Sequence, residues 1–224
     1  MQSSTTSIYE KERLKALKSL EILDSQPEKE YDELTALAAY ICDAPIALIS
    51  LIDKDRQWFK SKIGIDACET EREISFCTHA INQPNEIYEV EDASSHDLFK
   101  DNPFVIEKGV KFYAGAPLIH NNGHALGTIC VIDYKPKSLS DKQKLALKNL
   151  ANQVVKLFEL RYKNENLREV QRNLKEKNTQ LKNFAGVVSH DMKMPLANII
   201  VTIDILKSKY NKVLDDAGFD YLNN

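Results

Sequence analysis

The sequence predicts an α+β chain: an antiparallel sheet with flanking helices, followed by a long coiled-coil helix that leads into a helical hairpin. Two observations carry this reading. Residues 45–63 and 111–133 each read as strand, turn and strand, while residues 10–41 and the stretch from Ser140 onward place apolar side chains at helical spacing. With 43% apolar and 28% charged residues, the 224-residue chain can bury one sizeable core and still carry a smaller, polar extension.

Leu14, Leu17 and Leu20 predict a first helix within residues 10–23, and Leu34, Leu37, Ala38 and Ile41 repeat the pattern after a break at Pro27. Residues 1–9 read as a flexible start. From Ala44 the run PIALISLI, ended by Asp53, Lys54 and Asp55, predicts a strand and a turn, and residues 56–63, closed by Gly64, a second strand. Residues 66–85 are less regular, with a short helix at 75–81. A strand at 87–90 precedes residues 92–103, a polar excursion that reads as a long loop with a helical turn, and such loops are often binding elements. Residues 111–119 and 125–133 form the clearest strand pair, joined by Asn121, Asn122 and Gly123, whose Asn-Gly step suits the positive φ of a hairpin.

Ser140 followed by Gln143 is a capping box, and from Asp141 to about Tyr210 the chain holds one proline, Pro195, and one glycine, Gly186. This predicts a very long helix. Leu160, Leu167, Leu174, Leu181 and Val188 recur every seven residues, with Leu157, Asn164, Gln171, Asn178 and Ala185 three before each. Leucine at one seam position with mostly polar residues at the other describes a weak coiled coil. It favours a parallel homodimer, because a buried asparagine is best satisfied by its counterpart. A solvated single helix rich in Lys, Glu and Asn is the alternative. The expected divisions are residues 10–160 for the mixed domain, 161–183 for the coiled coil and 184–224 for the segment beyond it.

The net charge of −3, with both signs mixed along the chain, offers no basic face for a phosphate backbone, so nucleic acid is not an expected partner. No apolar run approaches the roughly 20 residues that cross a bilayer, and the N-terminus lacks the apolar centre of a signal peptide. A cytoplasmic protein with no membrane partner is expected. Cys42, Cys68, Cys77 and Cys130 are scattered without paired spacing, which indicates neither a zinc site nor a disulfide framework. None of the seven glycines lies in a run that would surround a phosphate with backbone amides, so nucleotide hydrolysis by this chain alone is not expected.

The sharpest chemical signal is the run FAGVVSHDMKMPL at residues 184–196. At about 100° per residue, His190 lies roughly 200° around the helix from Val188, so it points away from the apolar seam and is open to a partner. Asp191 can orient the imidazole or accept its proton, and Lys193 brings positive charge to a transferred group. Pro195 leaves the Asp191 carbonyl without its helical donor, which predicts a bend.

This run closely resembles the H-box of sensor histidine kinases: a phenylalanine, then Ser-His-Asp, then Pro-Leu. The resemblance implies that His190 is the phosphoacceptor and that a response-regulator receiver domain takes the phosphate onto an aspartate. It also implies that residues 184–224 are part of a HisKA dimerisation and phosphoacceptor segment, with residues 215–222 resembling the start of its second helix. The asparagine-rich and glycine-rich ATP-binding boxes of that family do not occur in this sequence. No cofactor is therefore expected in this chain, and ATP and Mg only together with a catalytic domain. Met194 stands where many such kinases carry Thr or Asn, and a thioether cannot position a hydrolytic water, which argues against response-regulator phosphatase activity.

Residues 22–24, 45–53, 55–61, 75–81, 112–118 and 126–133 resemble a GAF domain of the kind found before histidine kinases and diguanylate cyclases, over nearly all of residues 10–160. The resemblance implies helices on one side of an antiparallel sheet and, on the other, a pocket for an unknown small molecule roofed by the long loop. Arg72, Tyr88, Asp92, Phe112 and Tyr113, at strand ends or in the roofing loop, are candidate pocket residues, with core packing and surface charge as their alternative roles. Cys77 and His79 are also candidates; two residues do not fill a coordination sphere, so no metal is assigned. No cysteine occurs at 97–103, where bilin-binding GAF domains carry a Cys-His pair; free methionine sulfoxide reductases share the fold and Cys77 falls near one of their cysteines, but the segment that holds their catalytic thiol lacks one here. Two functions stand ahead of a GAF-type reductase: the sensing and phosphoacceptor part of a sensor histidine kinase, or a non-catalytic dimeric binding module with a vestigial H-box.

Overall fold

The computed structural model describes residues 2–210, so the second hairpin helix expected at 215–222 lies outside the described residues. The chain divides into two units, Met1–Asn164 and Glu165–Asn224. The first is built on six strands: β1 (Ile46–Ile52), β2 (Arg56–Ile63), β3 (Glu69–Glu71), β4 (Tyr88–Val90), β5 (Phe112–Ile119) and β6 (Ala125–Asp133). They form one sheet in the order β3-β2-β1-β6-β5-β4, with every neighbouring pair antiparallel. All seven residues of β1 are buried, which is why its sequence is a continuous apolar run rather than an alternation. Ala47, Ile49 and Leu51 enter one core, and Ile46, Leu48 and Ile52 the other.

The edge strand β3 lies in the stretch where the sequence shows no regular pattern. Glu-Thr-Glu has no apolar alternation, and only pairing with Arg56, Gln57 and Trp58 makes it a strand. In the β5–β6 hairpin, the His120 N–H bonds the His124 carbonyl at 2.9 Å and the Gly123 N–H bonds the His120 carbonyl at 2.8 Å. Gly123 takes the positive φ, 84°, that the Asn-Gly step suits, while Asn122 does not.

One face of the sheet is covered by α1 (Gln2–Ser19), α2 (Lys29–Cys42) and the first part of the long helix α5 (Asp141–Tyr210). Helical backbone begins at Gln2, so the residues read from the sequence as a flexible start continue the first helix; no proline or glycine precedes Pro27 to interrupt it. In α2 the buried residues are Tyr31, Thr35, Ala38 and Cys42, whereas Leu37 is 47% exposed. The packed face keeps Leu34, Ala38 and Ile41 of the predicted stripe and leaves out Leu37, while Tyr31 turns inward to meet Phe158 of α5 at 5.4 Å between ring centres. The capping box forms: the Ser140 N–H bonds Gln143 Oε1 at 3.0 Å and the Gln143 N–H returns to Ser140 Oγ at 3.4 Å. Gln143 Nε2 also donates to the Ile41 carbonyl at 3.0 Å, pinning the start of α5 to the end of α2.

A bulge interrupts the β1–β2 ladder between the pairs Ile49–Ser61 and Ser50–Phe59, leaving Lys60 as the extra residue. Its buried ammonium donates to Ser25 Oγ at 2.8 Å, the Gln26 carbonyl at 2.7 Å and Glu28 Oε1 at 2.7 Å. Three donors meet three acceptors, which is what a buried ammonium requires. Arg161 Nε on α5 donates to the same Glu28 oxygen at 2.9 Å, so β2, the α1–α2 connection and α5 meet at one carboxylate.

A second charged cluster straps α1 to the β1–β2 turn. Glu10 accepts from Arg13 Nε at 2.7 Å and from Arg72 at 2.6 Å, while Arg72 also donates to the carbonyls of Asp53 and Lys54. Burial raises the Glu10 pKa, but the hydrogen bonds from Arg13 and Arg72 prevail and bring it down to about 2. A carboxylate lowered in this way stabilises fully above its ordinary value of 4.5 and loses that contribution as pH falls toward 2. Glu10→Gln should therefore cost roughly 1 to 2 kcal/mol at neutral pH. The gap to the parent should close between those two pH values in urea titrations; a pH-independent gap would contradict this account.

Within its described residues, the second unit is helix alone. The helix continues through Gly186 and through Pro195, where the sequence predicts a bend. Leu167, Leu174 and Leu181 each expose more than half of their surface.

Candidate functional site

The face of the sheet opposite the long helices is covered by much shorter elements, α3 (Phe76–Ala80), α4 (Pro103–Ile106) and the loops around them. Each is placed by a local cap. Ser75 Oγ accepts from the Thr78 N–H at the start of α3, and Asn102 Oδ1 accepts from the Phe104 N–H at 2.9 Å at the start of α4. The amide of Asn102 also donates to the Ile74 carbonyl at 2.8 Å, tying the roof to the approach of α3.

These short covers leave a cavity of about 340 Å³. Its walls are Ile46 and Leu48 of β1, Gln57 and Phe59 of β2, Phe76 and Cys77 of α3, Phe104, Tyr113 and Ile132, with Ile65, Asp66, Ala67, Thr70, Lys108 and Tyr134 toward the loops. The size and the mainly apolar lining with a few polar groups suit a small organic ligand.

The floor holds a buried polar cluster centred on Cys77. Its sulfur accepts from Gln57 Nε2 at 3.1 Å, Thr128 Oγ1 at 3.1 Å and Tyr113 Oη at 3.3 Å, and lies 3.8 Å from Cys130 Sγ. Burial opposes ionisation of Cys77, but hydrogen bonds from Cys130, Ser50, Thr128 and Tyr113 outweigh it and lower the thiol pKa. Cys130 moves the other way, raised by its hydrogen bond to Cys77 and by burial. Tyr113 reaches this cluster by crossing its neighbour Gly115, where an added Cβ would meet the phenol oxygen at 2.2 Å.

Of the pocket residues read from the sequence, Cys77 and Tyr113 line the cavity. Phe112 does not: it is the neighbour of Tyr113 on β5 and enters the core beneath the long helices. Arg72 is engaged in the strap to α1. His79 stacks edge-on against Phe99 at 5.0 Å, and burial, with the charge of His96, lowers its pKa. Tyr88 lies in the same aromatic group, its pKa raised by burial, and Asp92 caps a turn by accepting from the Ser94 N–H and hydroxyl. Gln57, Thr70 and Lys108 were missed because neither an amphipathic strand nor a polar loop marks which residues close over a cavity. No group of three or more metal-binding side chains occurs among the described residues.

In the second unit, His190 Nδ1 lies 3.2 Å from Asp191 Oδ1, and both side chains are exposed. Met194, Pro195 and Asn198 line the same shallow surface as His190. Lys193 is exposed as well. Among the described residues no helix is long and apolar enough to cross a membrane.

Residues 26–156, more than half of the chain, match the GAF domain family. The chain belongs to that family. A cyclic di-GMP phosphodiesterase of Pseudomonas aeruginosa is 40% identical over 138 residues, which make up 61% of this chain and 23% of that protein. The phytochrome-like protein Cph1 of Synechocystis is 34% identical over 59 residues, 26% of this chain and 8% of that protein. The chain thus spans less than a quarter of the length of the curated relatives it matches. Among solved structures, the GAF domain of an Acinetobacter phosphoenolpyruvate-protein phosphotransferase is similar with a TM-score of 0.51 at 18% identity, covering 66% of this chain and 91% of that one. The blue-light absorbing form of the Thermosynechococcus elongatus PixJ GAF domain has a TM-score of 0.52 at 10% identity, over 63% of this chain and 90% of that one. The six-stranded antiparallel sheet with flanking helices is thus a GAF fold.

The crossing of Tyr113 over Gly115 gives the GAF domain a measurable weak point. Tyr113→Phe removes buried hydrogen bonds and should cost about 1 kcal/mol. Gly115→Ala should cost roughly 1 to 3 kcal/mol by pushing the ring aside. Because both variants disturb one contact, the double variant should lose less than the sum in urea unfolding; strict additivity would show that the phenol does not depend on the glycine.

Proposed function

We propose that this chain is the sensing and phosphoacceptor part of a two-component sensor histidine kinase, with an unknown small molecule in the GAF cavity as its signal. The observation that supports the reading is that α5, Asp141–Tyr210, both seals the GAF core through Leu147, Ala151, Val154 and Phe158 and carries His190 beside Asp191. A change at the cavity acts on β6, which leads through Ser140 into α5. The helix then presents His190 to an ATP-binding domain acting from outside the described residues.

With Nδ1 held toward Asp191, Nε2 is the free nucleophile. It forms the phosphorus–nitrogen bond as the bond from the γ-phosphorus to its bridging oxygen breaks. Asp191 stabilises the proton on Nδ1, and Lys193 offsets charge on the transferred group. A response-regulator aspartate is the proposed next acceptor. The exposed Leu167, Leu174 and Leu181 are proposed to close against a second copy in a parallel homodimer, which carries no nucleic acid and no membrane.

A second reading is favoured by the relative that is a cyclic di-GMP phosphodiesterase. There the GAF region belongs to a protein of different activity, and this chain would be a non-catalytic dimeric binding module.

Incubation with ATP, Mg and a separately expressed histidine-kinase catalytic domain distinguishes the two. The chain should take up acid-labile, base-stable phosphate, His190→Gln should abolish it with the fold unchanged, and Asp191→Asn should slow it about tenfold or more. Persisting label in His190→Gln would sink the kinase reading and leave the binding module. Independently, Leu167→Asp combined with Leu174→Asp should yield monomers in light scattering, because each buried seam would gain unpaired charge; a monomeric parent protein would remove the dimer.

A further inference from the structure

The cysteine pair on the cavity floor is not used by the reading above. Cys77 comes from α3 and Cys130 from β6, and their sulfurs touch at 3.8 Å in a chain where they stand 53 residues apart. Both belong to the buried core, yet Cys77 also forms part of the cavity wall, whereas Cys130 does not. A small solute in the cavity therefore meets one thiol and not the other. That thiol is surrounded by donors from Gln57, Thr128 and Tyr113, all within 3.3 Å. A buried cysteine that served packing alone needs apolar neighbours; this one sits where a sulfur anion would be solvated by the protein.

We propose that Cys77 and Cys130 are a peroxide-oxidisable dithiol, with Cys77 as the attacked residue facing the cavity and Cys130 as the resolving residue behind it. The oxidant is a small hydroperoxide. Cys77, having given up its proton, attacks the terminal oxygen of the hydroperoxide. The oxygen–oxygen bond breaks and the leaving alkoxide or hydroxide takes that proton, giving an alcohol or water and a sulfenic acid on Cys77. The Cys130 sulfur then attacks the sulfenic sulfur, the sulfur–oxygen bond breaks, and hydroxide leaves with the Cys130 proton as water. Two thiols are oxidised to one disulfide, and one hydroperoxide is reduced. The new bond joins α3 to β6 across the floor of the cavity. The donor arrangement lowers the pKa of Cys77 and so increases the reactive thiolate, while Cys130 stays protonated until the second step.

Cys68 is exposed and Cys42 is buried away from the cavity, so the chain contains its own controls. The reduced full chain is exposed to hydrogen peroxide or to tert-butyl hydroperoxide, alkylated, digested and mapped by mass spectrometry. The expected result is a Cys77–Cys130 disulfide, with Cys42 still a free thiol. In Cys130→Ala, dimedone should trap a sulfenic acid at Cys77. In Thr128→Val, which removes one donor without changing volume much, disulfide formation should slow about threefold or more. The wild-type mapping does not depend on any variant folding. If Cys77 and Cys130 both remain free while Cys68 is oxidised, or if disulfides form only between chains through Cys68, the proposal is overturned.

Discussion

A sheet whose central strand is buried along its whole length must be covered on both faces, and the rest of this domain follows from how unequally that is done. Long helices close one face, where Leu17, Ala38, Val154 and Phe158 join Ala47, Ile49 and Leu51 in one buried core. On the other face the covers are a five-residue helix, a four-residue helix and loops. Short elements carry too few apolar side chains to fill the space above a twisted sheet, and the shortfall is the cavity.

The two faces communicate through β2. Gln57 and Phe59 point into the cavity, and one bulged residue later Lys60 points the opposite way, into the charged node with Glu28 and Arg161. Alternation along the strand turns Lys60 toward the helix layer, and the bulge turns Ser61 the same way, where its hydroxyl meets Thr35 at 2.8 Å and Asp32 at 2.6 Å. A buried ion pair of this kind stabilises little in net terms, but breaking it by removing one partner is expensive, so it holds β2 and α5 in one relation. On the far edge, Glu10 and Arg72 do the same for α1 and the β1–β2 turn.

Much of the fold was legible because it rests on local pattern. The strands Arg56–Ile63 and Ala125–Asp133 and the helix Asp141–Tyr210 were readable to within a residue or two, since turn residues and a capping box bound them. What failed did so for a common reason. The stripe of α2 packs through Leu34, Ala38 and Ile41 but not Leu37, and Tyr31, which the stripe did not include, is buried against Phe158. On β5, Phe112 and Tyr113 are indistinguishable as aromatic neighbours until one knows which face carries the long helices. The strand β3 has no pattern of its own and exists only by pairing.

The sequence by itself determined the period of most elements, the two strand–turn–strand pairs and the long helix that carries His190 and Asp191, because propensity, capping and hydrophobic spacing act between residues a few positions apart. Only the tertiary structure decided which side chains surround empty space and which cysteines touch. Cys77 and Cys130 show no paired spacing in the chain, and their contact depends on α3 folding back over β6. Distances of this kind are set by the packing of whole elements, a property that no local pattern encodes.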